Sequence, residues 1–364
     1  MSYSSLSPLT GPDPSPDPDD ENAVQNKYST AIGALILSLV FLLGVPGNLF
    51  IVWSILARIR QRSVTTLLIL NLACADGFLM ALTIFFIIYL AMQTWVFGNT
   101  MCKIVFYLCN SNMYASIFLI TLMSVNRLLA VVFPHTLYHL ITRKVVRRVI
   151  LGTWVLVMAI SIPSLVFRDV KEETDDMNQT IYVCVPNHTL HWLNVRFEYA
   201  FQTVAGFIIP YAIIITSYVL ILKRLRETRF QRNLRSEKLI LAIVIMFGLF
   251  WLPYHVVNMI QVCLVPKDLT HKRKVNAISQ SSRAVTSALA FISSCANPVL
   301  YTFAGKSYIK KNGFAFMAKL FEGTLSDQTG TKSTRLTTYD NIRESNVDCQ
   351  NPTVASTPEN GNLE

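Results

Sequence analysis

A chain of 364 residues that is 52% hydrophobic and only 15% charged, with a mean hydropathy of +0.41, carries more apolar surface than one water-soluble core can hide. That composition excludes an ordinary soluble enzyme or binding domain and makes lipid the solvent. The formal charge of +10 falls between apolar stretches, so its counterpart is a membrane surface and not nucleic acid.

In chain order, residues 1–27 are acidic and rich in Pro and Ser, with Asp13, Asp17, Asp19, Asp20 and Glu21. They have neither a basic n-region nor an apolar h-region, so no cleavable signal peptide is expected and the segment reads as a disordered leader. Residues 28–305 then hold seven apolar stretches: Ala31–Leu56, Thr65–Met92, Met101–Phe133, Val149–Phe167, Tyr199–Leu222, Leu239–Val265 and Ala284–Ala304. Each meets the roughly 20 residues that a bilayer-spanning helix needs. The fold class is an all-α membrane protein, a seven-transmembrane helix bundle. Residues 306–321 alternate Tyr308, Ile309, Phe314, Phe316, Met317, Leu320 and Phe321 with lysines, which predicts a short amphipathic eighth helix on the membrane surface. Residues 322–364 are polar and read as a disordered tail, with Ser326, Thr329, Thr331, Ser333, Thr334, Thr337 and Thr338 clustered where phosphorylation builds an anionic patch.

Orientation follows from the loops. Eighteen Lys and Arg fall on one side of the spans and nine on the other, which places the richer side in the cytoplasm and the N-terminus outside. Cys102, at the outer start of the third span, and Cys184, in the loop before the fifth, then share an oxidising compartment and are predicted to be bonded. Asn178-Gln179-Thr180 and Asn187-His188-Thr189 in the same loop match the glycosylation pattern.

Buried polar groups carry the functional signal, because a lone ion near mid-membrane costs at least roughly 2.5–3.5 kcal/mol. Asp76 stands in the middle of the second span with no lysine at the centre of any other. Helix packing brings it within range of Asn48, Asn112, Ser116, Ser293, Ser294 and Asn297, an oxygen-rich set that suits a sodium ion or a hydrated hydrogen-bond network. Arg127, at the inner end of the third span, either anchors the helix in the headgroups or acts as a latch that meets a partner on opening. Pro210, Pro253 and Pro298 each remove a backbone hydrogen bond within a span and favour a kink.

Gly47-Asn48, Leu72-Ala73-Cys74-Ala75-Asp76, Trp95-Val96-Phe97-Gly98, Asn126-Arg127-Leu128, Trp154, Phe250-Trp251-Leu252-Pro253 and Asn297-Pro298-Val299-Leu300-Tyr301 occur in order along the spans. Together they resemble the rhodopsin-like G-protein-coupled receptors. The resemblance implies a ligand pocket in the outer half with Trp251 as its floor, sodium at Asp76, and Arg127, Tyr218 and Tyr301 rearranging as the sixth helix swings. It also implies a heterotrimeric G protein, of the inhibitory type, with arrestin and receptor kinases acting at the tail, in the plasma membrane.

Val52-Trp53-Ser54-Ile55-Leu56, Arg62-Ser63-Val64-Thr65, Met113-Tyr114-Ala115-Ser116, the run Phe250 to Asn258 and Ala318-Lys319-Leu320-Phe321-Glu322-Gly323-Thr324 are similar to the leukotriene B4 receptors. Such a ligand is an anionic lipid, a hydroxylated fatty acid, active in chemotaxis and inflammation. Its carboxylate needs a cation, and Arg168 and Arg283, at the outer ends of the fourth and seventh spans, are the best placed. The alternative for each is snorkelling to headgroups. Tyr114, Gln202, Tyr254, His255 and Asn258 suit its hydroxyls, although His255 also fits a satisfied interior histidine; Cys109 and Met113 suit its chain.

Three positions depart from the pattern. Asn126 replaces the acid that usually precedes the arginine, and Gln202 and Phe106 stand where some leukotriene receptors carry an acid and a histidine. Competing classes fail on single positions. The seventh span has no lysine for a retinal Schiff base, and the third has no acid for an amine. Neither the repeats of a transporter nor the metal-ligand spacing or nucleophile elbow of an enzyme is found. A chemotactic peptide receptor of the same class is the remaining alternative.

Overall fold

The computed structural model describes residues 27–59, 63–134, 141–174, 178–186, 192–228, 235–263 and 269–304. It is a helical bundle with one hairpin: α1 (Lys27–Arg58), α2 (Val64–Met92), α3 (Gly98–Val132), α4 (Arg143–Ile160), α5 (Pro163–Val166), β1 (Arg168–Thr174), β2 (Thr180–Pro186), α6 (Trp192–Thr203), α7 (Ile209–Thr228), α8 (Arg235–Cys263) and α9 (Leu269–Ala304). Among the described residues six helical spans are long and apolar enough to cross a membrane, and Val285–Leu300 within α9 is a shorter apolar one. The described parts of the seven apolar stretches are helical, the fourth running across α4 and α5 and the fifth across α6, a π-turn and α7.

The bundle is apolar outside as well as inside. Leu35, Leu42 and Leu43 on α1, Leu151 and Val155 on α4, and Leu249 and Leu252 on α8 are exposed, whereas Asn48, Asp76, Thr83, Ser124 and Asn258 are fully buried. In water this would be an inverted protein; in hydrocarbon it is the stable arrangement, because the polar groups find one another only in the interior. The central element is α3, buried without a break from Ser111 to Ile117 and packed against α2, α4 and α7. Contacts between α1 and both α2 and α9, and between α8 and α9, complete the ring. Gly47 permits a close approach of α1 to α9: a Cβ there would sit 2.9 Å from the ring of Pro298.

Helix ends are set locally. The Ser63 hydroxyl accepts from the Thr66 backbone N–H at 3.1 Å and the Thr142 hydroxyl from Val145 at 3.3 Å, each satisfying a donor that a helix start leaves open. Gln93 ends α2 in the left-handed region at φ 52°, and Gly98 opens α3 at φ 75°.

Several features differ from what hydropathy predicts. α9 begins at Leu269, well before the apolar stretch at Ala284, because a helix once nucleated in lipid continues into water where its residues tolerate it. Ahead of Pro210, a π-turn over Val204–Ile208 separates α6 from α7, and this wide turn accommodates the missing N–H where a kink was expected. Pro253 and Pro298 lie within α8 and α9, and Pro46 lies within α1. The β1–β2 hairpin was not anticipated; its register pairs Arg168 with Pro186 and Val170 with Cys184. Cys184 is bonded to Cys102 at the start of α3, with Cα atoms 5.8 Å apart, so the hairpin is stapled over that end of the bundle. The leader, the surface helix expected at 306–321, the tail from 322, Asn187 and the side chain of Tyr301 lie outside the described residues.

Candidate functional site

At the hairpin end, Arg168 opens β1 directly after the fourth span. Its guanidinium lies over the Phe106 ring at 3.4 Å and its Nη1 donates to the Cys184 carbonyl at 3.4 Å, a hold that combines cation–π attraction with one hydrogen bond. Burial disfavours its charged form; Glu198 nearby opposes that shift and Arg283 adds to it.

Arg283 approaches from α9. Its Nη2 donates to Asn258 Oδ1 at 3.3 Å and to Gln261, and its guanidinium faces the Tyr199 ring at 4.4 Å. Asn258 Nδ2 and the Tyr254 hydroxyl both donate to Gln202 Oε1, at 3.0 and 3.2 Å, and Gln202 Nε2 donates to Asn110 Oδ1 at 2.9 Å. The structure therefore joins Arg283, Asn258, Tyr254 and Gln202 in one network. Cys109 packs beside Phe86 and Phe106 below the hairpin, and Met113 and Tyr114 are buried in the core beside Gly206.

His255 sits apart from this network. It is 2% exposed, its Nδ1 lies 3.2 Å from the Thr203 hydroxyl, its ring stacks on Phe207 at 4.7 Å, and its Nε2 has no partner among the described residues. That is the geometry of an interior histidine fastening α8 to the last residue before the π-turn. Trp251, one turn below Tyr254, stacks on Phe247 and donates Nε1–H to Ser293 Oγ at 2.9 Å.

Below Trp251 is the polar centre. Asp76 is fully buried; Asn297 Nδ2 donates to its Oδ2 at 2.7 Å and the Ser116 hydroxyl to its Oδ1 at 3.3 Å, and Ser294 also reaches it. Ser116 lies 3.5 Å from Asn112 Oδ1. Asn48 Nδ2 donates to the backbone carbonyls of Gly44 and Ser294, while its Oδ1 has no partner among the described residues. Ser293 is turned away, bonded to the Ala290 carbonyl and to Trp251. Among the described residues no lysine or arginine forms an ion pair with Asp76. A buried carboxylate, several hydroxyl and amide oxygens and an unpaired amide oxygen fit a small hard cation.

At the far end Arg127 and Tyr218 are both buried. Asn126 is buried beside it; its Nδ2 reaches Thr65 Oγ1 at 3.5 Å and its Oδ1 has no partner among the described residues.

The sequence reading passed over Glu198, Asn110 and Ser164. The Ser164 hydroxyl donates to Glu198 Oε1 at 3.2 Å and also accepts from Asn110 Nδ2. The signal was present, since Glu198 precedes Gln202 by four residues and so shares its helix face.

The family model of the seven-transmembrane receptors of the rhodopsin family matches residues 47–301. The chain is 38% identical over 307 residues to leukotriene B4 receptor 1 of Homo sapiens, covering 84% of this chain and 86% of that one. It is 35% identical over 323 residues to leukotriene B4 receptor 2 of Homo sapiens, covering 87% of each. The type-1 angiotensin II receptor A of Xenopus laevis is 32% identical over 280 residues, 76% of each.

Proposed function

We propose, from the premise that the chain belongs to the rhodopsin family of seven-transmembrane receptors, that it is a receptor for an anionic lipid mediator of the leukotriene B4 kind. Membership makes it a multi-pass, non-enzymatic membrane receptor that signals to G proteins. The observation that carries the ligand class is the pair Arg168 and Arg283, each held over an aromatic ring and neither ion-paired among the described residues. An anionic head placed there gains charge-assisted hydrogen bonds, and the similarity to two leukotriene B4 receptors supports a fatty acid as its bearer. The test is G-protein activation by a panel of oxidised fatty acids, with competition by acidic peptides as the opposing arm. Displacement by peptide alone would transfer the site to the peptide class.

In the same reading the N-terminus is extracellular, the receptor stands in the plasma membrane, Asn178 and Asn187 carry glycans, and the G protein is of the inhibitory type in a chemotactic or inflammatory cell. Receptor kinases and arrestin engage the phosphorylated tail.

Asp76, Ser116, Asn112 and Ser294 are the residues that would hold sodium, an allosteric ion and not a cofactor of any reaction. The ion favours the arrangement in which Asp76, Ser116 and Asn297 converge, so an agonist that favours another arrangement binds more weakly in its presence. We expect sodium chloride, against an N-methylglucamine control, to lower agonist affinity of the native receptor roughly 5-fold, and Asp76→Asn to abolish that dependence. A sodium effect that survives in Asp76→Asn would remove the ion from this site.

Asn126 bears on the resting state. With an amide where the family places an acid, Arg127 lacks an anionic neighbour at the adjoining position. Asn126→Asp is expected to lower ligand-independent nucleotide exchange by roughly 5-fold, about 1 kcal/mol of bias towards rest; an unchanged or raised basal rate contradicts this.

A further inference from the structure

A cavity of about 180 Å³ lies between α3, α5 and α6, lined by Asn110, Tyr114, Ser164, Glu198 and Gln202 on its polar side and otherwise by apolar groups. Phe197, 67% exposed, marks where it meets the outside of the bundle. Glu198 is half-buried there with Ser164 as its hydrogen-bonding neighbour, and among the described residues no cation forms an ion pair with it. A carboxylate in so apolar a recess has acceptor capacity left over, since its two oxygens offer about four lone-pair sites. Hydrogen bonds run from it through Ser164, Asn110, Gln202 and Asn258 to Arg283. The chain of contacts thus has a cation at one end and a carboxylate at the other. A ligand matched to both ends carries an anion at one and a hydrogen-bond donor at the other.

We propose that Glu198 and this cavity form a hydroxyl-reading subsite, in which the Glu198 carboxylate accepts a hydrogen bond from a hydroxyl on the hydrocarbon chain of the ligand. The receptor is thereby biased towards hydroxylated over unsubstituted fatty acids. This rests on the anionic-lipid reading above and assigns Glu198 a role in specificity beyond its electrostatic influence on Arg168. Neutral neighbours such as Gln202 and Asn110 already spend their amide groups on each other, which leaves Glu198 as the acceptor with capacity to spare.

The test uses the full-length receptor in cells, with G-protein activation by leukotriene B4 and by arachidonic acid, which has the same carbon number and no hydroxyl. In Glu198→Leu the potency of leukotriene B4 falls roughly 10-fold or more and that of arachidonic acid stays within about 2-fold, so the preference collapses. Glu198→Gln keeps an acceptor and the bond from Ser164, and gives a smaller loss of about 3-fold for leukotriene B4 alone. Should Glu198→Leu fail to reach the surface, the ratio of the two potencies in Glu198→Gln decides. Equal loss for both lipids would reduce Glu198 to a brace for Ser164, and no loss for either would remove it from recognition; both outcomes overturn the subsite. A native receptor silent to both lipids overturns the anionic-lipid reading and the subsite with it. In a receptor that responds, Arg168→Ala tests the head-group site independently, because it is expected to weaken both lipids alike.

Discussion

Arg168→Ala is expected to lower the potency of the best anionic lipid roughly 30- to 150-fold, equivalent to about 2–3 kcal/mol, with Arg283→Ala in the same range. Each arginine is prepaid in position, Arg168 by the Phe106 ring and the Cys184 carbonyl, and Arg283 by Tyr199, Asn258 and Gln261. On the proposed reading the ligand would meet cations that have already lost their rotamer freedom, and truncation would remove both the charge and its preorganisation. Arg168→Lys separates the two contributions. It keeps the charge but cannot lie flat on Phe106 or offer a fork to a carboxylate, so it recovers only part of the potency. Dose–response curves at matched surface expression are the measurement; wild-type potency in both alanine variants would remove the arginines from the site.

Cys102→Ser is expected to have the larger effect on the protein itself. The bond joins residues 82 apart in sequence, and loop-closure entropy for that span gives roughly 4.5 kcal/mol. A loss of this size, set against a total stability of about 5–15 kcal/mol, is expected to lower the amount of folded receptor at the cell surface several-fold at 37 °C. The fraction that folds would also hold the hairpin loosely. Because Arg168 opens β1 and bonds to the carbonyl of Cys184 itself, ligand potency falls together with stability. Surface labelling and thermal inactivation of detergent-solubilised receptor would show this; native levels and native melting in Cys102→Ser would refute it.

The spans were legible because lipid imposes a severe rule: a long apolar run must be helical, and its polar residues must look inward. That rule says nothing about segments in water. The hairpin Arg168–Pro186 is short, charged and irregular in alternation, so no periodicity exposed it, although both its ends and its cysteine drew notice for other reasons. The first four turns of α9 are polar and were invisible to hydropathy for the same reason. Within the spans, residue type picked out Asp76, Asn297 and Ser116, which the structure brings together. It did not separate Ser293 from Ser294. Consecutive helical residues point about 100° apart, so only one of the pair is able to face Asp76, and the choice depends on the rotation of α9. Glu198 was overlooked because a carboxylate near a span end reads as an ordinary boundary residue until Ser164, from another helix, is seen to bind it.

The same two serines have a mechanical meaning. Ser293 holds the indole of Trp251 and Ser294 touches the Asp76 carboxylate, and one peptide bond, about 1.5 Å of axial rise, joins them. A displacement of the indole therefore acts on the residue adjoining the one that reaches the carboxylate. Any coupling between the two sites is reciprocal by linkage, so an occupant at Asp76 and a molecule on Trp251 would change each other's affinity by the same factor.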